Sequence, residues 1–267
     1  MNQLERQMVA LLKELKSEHG ALAVRAEFEA EGTRLEDLLR LKEIAMTAGA
    51  GLQLKIGGCE SVRDILEVSK IGVDQLVAPM IESAYALRKY LQAVGQFIAP
   101  AARDGIEILC NLETASAAQN LDEIFGVPEI SQLKGVVVER VDLCFSLGRR
   151  EDEIDAPEIG RLVEQIVARA RAAGLTTALG GGLSANSLPF IRALNGRLDR
   201  FETRKVCFDC LAALARDPET GILKALGFEL LWLRNKLGFN SALSLSDQDR
   251  IRLIEQQYWP RIKGLIS

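Results

Sequence analysis

In the run ALAVRAEFEAEG, residues 21–32, Leu22, Val24, Ala26, Phe28 and Ala30 take the even positions, while Arg25, Glu27, Glu29 and Glu31 take odd ones. A two-residue period puts charged side chains on one face of a strand and apolar ones on the other. LQLKI at 52–56 repeats it, with Gln53 and Lys55 against Leu52, Leu54 and Ile56, and IEILCNLE at 106–113 sets Glu107, Asn111 and Glu113 on one parity. Candidate strands are therefore 22–29, 52–56, 74–80, 106–112, 134–139, 175–180 and 200–208. Helical segments fall between them, near 61–70, 83–93, 115–124, 157–173 and 186–194. In TRLEDLLRLKEIAMTAG, Thr33 as N-cap and Glu36 three positions on form a capping box. Strand then helix, repeated along the chain, belongs to the α/β class, as a doubly wound sheet or a (β/α) barrel. A parallel sheet covered by helices on both faces is apolar on both. One polar face and one apolar face fit a (β/α)8-type TIM barrel whose interior carries a polar site at one end.

The chain of 267 residues suits a single barrel domain over 1–267, with an N-terminal helix over 1–20 and a helical C-terminal extension over 210–267. Trp232, Phe239, Tyr258 and Trp259 make that extension aromatic, to fill a core or to reach a partner subunit, and Ser246 with Asp249 can cap its last helix. The N-terminal MNQLERQMVALLKELKSEHG is amphipathic with both charge signs, unlike a secretion signal, and no apolar stretch is long enough to cross a bilayer, so a cytoplasmic protein is expected. A net charge of -4 argues against nucleic acid or an anionic membrane surface as partner. His19 is the only histidine, which excludes sites built on two or more, and it stands before Gly20 where it caps a helix or faces water. The five cysteines form no disulfide framework. CFDC at 207–210 has redox or zinc spacing, but small buried hydrophobes are the simpler reading.

Active sites of such barrels form where strands end. Residues there include Glu29, Glu31, Lys55, Glu82, Asn111, Glu113, Glu139, Arg140, Asp142, Glu202, Arg204 and Lys205. So many confined acids repel one another unless cations compensate. Arg25, Lys55, Arg140 and Arg204 are available, and a divalent cation on Glu113 and Asp142 would complete the balance, hard oxygens suiting Mg2+ or Mn2+. Salt bridges between neighbouring strands are the alternative. ALGGGLSANS at 178–187 is a glycine turn whose Gly181 and Gly182 either cradle a substrate carboxylate or phosphate or serve close packing.

These segments carry a resemblance. NLETASAAQNLDEIFGVPEI and VVVERVDLCFSLG, within 108–148, are similar to the glutamate-threonine segment and the Asp-Leu strand end of the 4-hydroxy-2-oxo-acid class II aldolases and citrate lyase beta subunits, in the phosphoenolpyruvate/pyruvate-binding barrel superfamily. GVDQLVAPMIESAYALRKY (73–91) resembles the family's Pro-Met-Val segment and EGTRLEDLLRLKEIA (31–45) the helix after its base-bearing loop, so the likeness runs from about 26 to 195. The resemblance implies Glu113 and Asp142 as ligands of Mg2+ or Mn2+, and a carbon-carbon lyase acting on a 2-oxo acid or dicarboxylate through a pyruvate-type enolate. Lys55 sits where the family places an enolate-stabilising arginine, Glu31 where the aldolases carry a catalytic histidine, with Glu29 as its neighbour, and Asn111 replaces a substrate-pocket glutamine. Arg140 or Arg204 would steer a second carboxylate. The family's first strand is not recognisable before residue 21, so the barrel is expected to be modified there, and common multimerisation among relatives implies a homo-oligomer. Two other readings stand beside it: a Schiff-base aldolase using Lys55 or Lys205, and a barrel that binds or assembles without turnover.

Overall fold

The computed structural model describes residues 1–194, 196–239 and 245–266; the side chains of Phe239, Leu245 and Ser246 lie outside what it describes. Its centre is a closed eight-stranded barrel, formed by β1 (Ala21–Glu27), β2 (Gly51–Lys55), β3 (Gln75–Ala78), β4 (Glu107–Asn111), β5 (Gly135–Glu139), β6 (Thr176–Gly180), β7 (Arg200–Glu202) and β8 (Val206–Asp209). The helices are α1 (Gln3–His19), α2 (Leu35–Ala48), α3 (Val62–Ile71), α4 (Ala84–Phe97), α5 (Pro100–Arg103), α6 (Ala115–Gln119), α7 (Leu121–Phe125), α8 (Arg140–Ser146), α9 (Pro157–Ala172) and α10 (Leu188–Ala193), followed by α11 (Cys210–Leu214), α12 (Pro218–Phe239) and α13 (Leu245–Ile262).

β1 to β7 run parallel in sequence order, but β8 is antiparallel to both β7 and β1. The stretch 200–208, expected as one strand, is thus a hairpin turning at 203–205. Thr203 makes the turn: its amide donates to Val206 O at 2.9 Å and its hydroxyl accepts from Val206 N at 3.1 Å. Phe201 and Phe208 stack across the hairpin at 5.0 Å between ring centroids. β1 pairs in parallel with β2 but antiparallel with β8, with a shift of register between Ala21 and Ala23, so the departure from an all-parallel barrel lies where the first strand meets the closing strand.

The parity read from the sequence is realised by the register. Arg25 pairs with Gln53, Gln53 with Gln75 and Gln75 with Glu107, so these polar residues share the inner face. Val77, Leu109, Val137 and Ala178 form a small apolar cluster of their own on that face. The opposite parity, with Val24, Leu54, Leu76, Ile108, Val136 and Leu179, packs into the main core under the helices.

Helix ends follow local chemistry. Asn2 and Glu5 make a reciprocal capping box, Glu5 N to Asn2 Oδ1 at 2.9 Å and Asn2 N to Glu5 Oε2 at 2.7 Å, satisfying amides that α1 cannot. Gly20 closes α1 in the left-handed region at φ 73°. His19 neither caps α1 nor faces water: it is buried, its Nδ1 3.2 Å from Asp217 O and its Nε2 3.2 Å from Lys224 Nζ. The cap of α2 falls one residue later than the Thr33 box, with the Arg34 amide donating to Asp37 Oδ2 at 3.4 Å.

The C-terminal extension is a helical hairpin. Leu223, Leu226, Leu230 and Leu233 of α12 pack against Ile254 and Ile262 of α13. Ion pairs Lys236–Asp247 at 3.0 Å and Arg234–Glu255 at 2.7 Å join the two helices. Trp232 is buried, so this aromatic fills a core, while Trp259 lies under the Arg234 guanidinium at 4.9 Å. Among the described residues no helix is long and apolar enough to cross a membrane. Cys110, Cys144, Cys207 and Cys210 are buried and all five cysteines are unbridged.

Candidate active site

The parallel strands deliver their last inward residues to one end of the barrel, and a cavity of about 660 Å³ opens there. Its floor is an ion network. Arg25, fully buried, lies 3.0 Å from Glu139 and 3.5 Å from Glu27. Its Nε is 2.9 Å from Glu202 Oε2, but that N–H is directed at Gln53 Oε1, 2.6 Å away, so Oε2 feels the charge without a hydrogen bond. Gln53 completes the tie by donating to Glu202 Oε1 at 2.6 Å. Burial opposes the Arg25 charge, yet Glu202, Glu139 and Glu27 together raise its pKa above the ordinary arginine value. Glu202 moves up, through burial first and then repulsion from Glu139 and Glu27, although Arg25 opposes this.

Lys55, at the end of β2, pairs with Glu27 at 2.8 Å. Burial disfavours its charge, but Glu27, Glu139 and Glu113 outweigh that and raise its pKa. Lys55 therefore stays ammonium, a poor nucleophile for a carbonyl.

Glu113, just past β4, is 1% exposed and accepts from the Met80 amide at 2.7 Å and from Asn111 Nδ2 at 2.8 Å. Met80 holds its amide there from φ 54°, the one non-glycine residue in the left-handed region among those described. Such a conformation costs about 1–2 kcal/mol and commonly marks a functional loop. Burial pushes the Glu113 carboxyl up to about 7, with Glu139 adding to it and Lys55, Met80 and Asn111 opposing. Asp142, in the first turn of α8, lines the cavity, and its pKa is also raised, by burial and then by Glu139 and Glu27 against Lys55.

Glu31, Lys55, Asp142, Arg204, Gly181 and Gly182 of the expected site all line this cavity. Glu31 is held by Lys205 and by Arg204 Nε at 3.3 Å. Asn111 is fully buried and orients Glu113, and its Oδ1 has no hydrogen-bond partner. Glu29 is exposed and packs against Gly57, so it stands outside the cavity. Arg140 departs from the expected substrate role. It is 0% exposed, its Nη1 pairs with Asp155, its Nη2 donates to Gly181 O at 3.0 Å and Ser187 Oγ at 3.2 Å, and Phe190 lies 4.8 Å from its guanidinium carbon. With these partners around it, it fixes the glycine turn instead of meeting a ligand.

Glu27 and the C-terminal residues Arg250, Gln257 and Tyr258 also belong to the cavity. The parity of β1 already placed Glu27 beside Arg25. No local pattern marks the others, since α13 reaches the barrel end only through tertiary packing.

Among the described residues, no three His, Cys, Asp or Glu side chains gather into a metal cluster. Glu113, Asp142 and the unpartnered carbonyl oxygen of Asn111 are nevertheless hard-oxygen groups of the kind a divalent ion takes, and Lys55 acts on both carboxyls, although of the three residues only Asp142 lines the cavity.

A family model described as HpcH/HpaI aldolase/citrate lyase matches residues 35–181. The chain is similar to 2-keto-3-deoxy-L-rhamnonate aldolase of Escherichia coli O17:K52:H18 (strain UMN026 / ExPEC), 31% identical over 163 residues. That match covers 52% of this chain and spans 59% of the length of that relative. Among solved structures, the HpcH/HpaI aldolase from Desulfitobacterium hafniense DCB-2 superposes with a TM-score of 0.60 at 15% identity, covering 76% of this chain and 84% of that one. An HpcH/HpaI aldolase/citrate lyase family protein from Burkholderia cenocepacia J2315 gives 0.56 at 13% identity, covering 81% and 98%. At such identities the structures speak to the fold alone.

Proposed function

Because this chain belongs to the HpcH/HpaI aldolase/citrate lyase family, we propose that it is a carbon-carbon lyase acting on a 2-oxo acid, with Glu113 and Asp142 holding Mg2+ or Mn2+. The observation that carries this reading is the pair of carboxylates at the ends of β4 and β5, both with raised pKa values. When bound, the divalent ion supplies Lewis-acid polarisation of a chelated 2-oxo acid.

The remaining work falls to the chain's own residues. Lys55, kept protonated by Glu27, faces the negative charge that grows on the keto oxygen as the carbon-carbon bond breaks, and its interaction is strongest at that moment. Asn111 and the Met80 amide fix Glu113. Glu31 accepts the proton of the hydroxyl at the breaking bond, held in place by Lys205 and Arg204. Lysine imine chemistry has less support, because the Lys55 pKa is raised and Lys205 is engaged by Glu31.

Calorimetric titration of chelator-stripped protein with Mg2+ and Mn2+, with and without oxalate, tests the reading. Binding strengthened by oxalate and lost in Glu113→Gln/Asp142→Asn is expected, together with chelator-sensitive cleavage of a 4-hydroxy-2-oxo acid. No metal binding by the intact protein, or cleavage indifferent to chelator, overturns it.

A further inference from the structure

We infer that α13 supplies the far end of the substrate site, where Arg250 and Arg204 together bind a second anionic group of the 2-oxo acid. This rests on the lyase reading above and adds to it the residues that select the substrate. Both guanidiniums line the same cavity, Arg204 from the β7–β8 turn and Arg250 from α13. In an eight-stranded barrel β8 stands opposite β4, so the turn that carries Arg204 before β8 lies across the barrel end from the segment that carries Glu113 after β4.

The two arginines share an anchor. Glu229 of α12, 1% exposed, takes Arg250 Nε at 2.6 Å and Nη2 at 2.8 Å, and lies 4.0 Å from Arg204 Nε. Arg204 Nε also donates to Glu31 at 3.3 Å. Among the described residues, Arg250 Nη1 and both terminal nitrogens of Arg204 donate no hydrogen bond. A guanidinium clamped from behind by a buried carboxylate is already ordered before ligand arrives, and its free N–H edges suit a carboxylate or phosphate.

Charge does not account for the preference. Arg204, Lys205 and Arg250 face Glu31 and Glu229, and the exposed Glu151 at the cavity rim acts on Arg250 as well. Directed donors, not a net positive field, make the selection. The cavity of about 660 Å³ is larger than a three-carbon acid requires. Arg250, Leu253 and Gln257 recur at helical spacing, so one stripe of α13 forms its outer wall.

The test compares 2-oxoglutarate with 2-oxopentanoate, which has equal chain length and no distal charge, by calorimetry in Mg2+. The phosphonate 2-oxo-4-phosphonobutanoate distinguishes a phosphate-bearing ligand from a diacid. One of the two charged acids is expected to bind at least about tenfold more tightly than 2-oxopentanoate. Arg250→Gln should erase that difference and leave oxalate affinity unchanged. Arg250→Gln/Glu229→Gln, which leaves no buried unpaired carboxylate, gives the same answer if the single variant folds poorly. Equal affinity for charged and uncharged acids in the intact protein overturns the inference, as does a preference that survives in the variants. Mg2+-dependent oxalate binding without a distal preference defeats this inference alone. A distal preference without oxalate binding defeats the lyase reading alone, and binding of no probe defeats both.

Discussion

Glu113 binds its proton more firmly in the fold than in the open chain, because burial penalises the carboxylate and Glu139 repels it, taking its pKa from 4.5 to about 7. An acid raised in this way favours the fold fully below its unfolded pKa, and that contribution is lost as pH rises to the folded value. Between those two values the metal-free protein is predicted to lose on the order of 3 kcal/mol from this one group. Glu113→Gln should remove that part of the slope, which urea unfolding in chelator at about pH 5 and about pH 8 measures. A variant with the parent's pH dependence contradicts it. Lys55 carries a second prediction at this scale. Lys55→Met should lower the cleavage rate about 10²–10³-fold, while Lys55→Arg keeps most of it; unchanged turnover in the Met variant removes Lys55 from the chemistry. Parity made Lys55 and Glu113 legible as inward residues at strand ends, and Asp142 was legible only from its place after the fifth strand. It could not show Arg140 turning away, since a side chain's direction after a strand depends on what its neighbours leave open.

At the scale of elements, the glycine turn after β6 is required by packing, whatever else it does at the cavity it lines. Gly181 has φ +80°, and a Cβ there would lie 2.4 Å from Arg140 N and 2.7 Å from Val141 N. Close approach of the β5 and β6 ends therefore demands glycine. Gly181→Ala should cost about 2–4 kcal/mol, combining left-handed strain with overpacking. Gly196 shares the sign of φ but has none of the described residues near its Cβ direction, so Gly196→Ala should cost only about 1–2 kcal/mol. Chemical denaturation of both variants checks the order, and equal losses would mean that crowding at Gly181 contributes nothing. The hairpin at 203–205 was hidden for a related reason. RFETRKVCF contains no glycine, proline, asparagine or aspartate to announce a turn, and the reversal depends on the Thr203 hydroxyl and on pairing with β1.

For the whole molecule, the interior ions replace the layered apolar filling that many such barrels have. Arg25 ties β1 to β5 and β7 through Glu139 and Glu202, while Arg200 on β7 reaches Glu107 on β4 at 2.6 Å. Arg25→Met leaves buried carboxylates without their shared cation and should cost about 3–5 kcal/mol, read as a lowered urea midpoint. A parent-like midpoint would show that the cluster relaxes by taking up protons. The strand-helix alternation made this architecture readable, whereas the placement of α13 over the opening was not, because its stripe of Arg250, Leu253 and Gln257 acquires meaning only beside the barrel.

The antiparallel β8 also sets an order of events during synthesis. β1 pairs with residues 206–208, so a nascent chain that has not yet emerged that far carries two unsatisfied sheet edges, 21–27 at one side and 200–202 at the other. Open edges recruit other chains. A pause that holds Val206–Asp209 back from emerging would leave a product prone to sticking, and the barrel seals only once those residues are free to pair with β1.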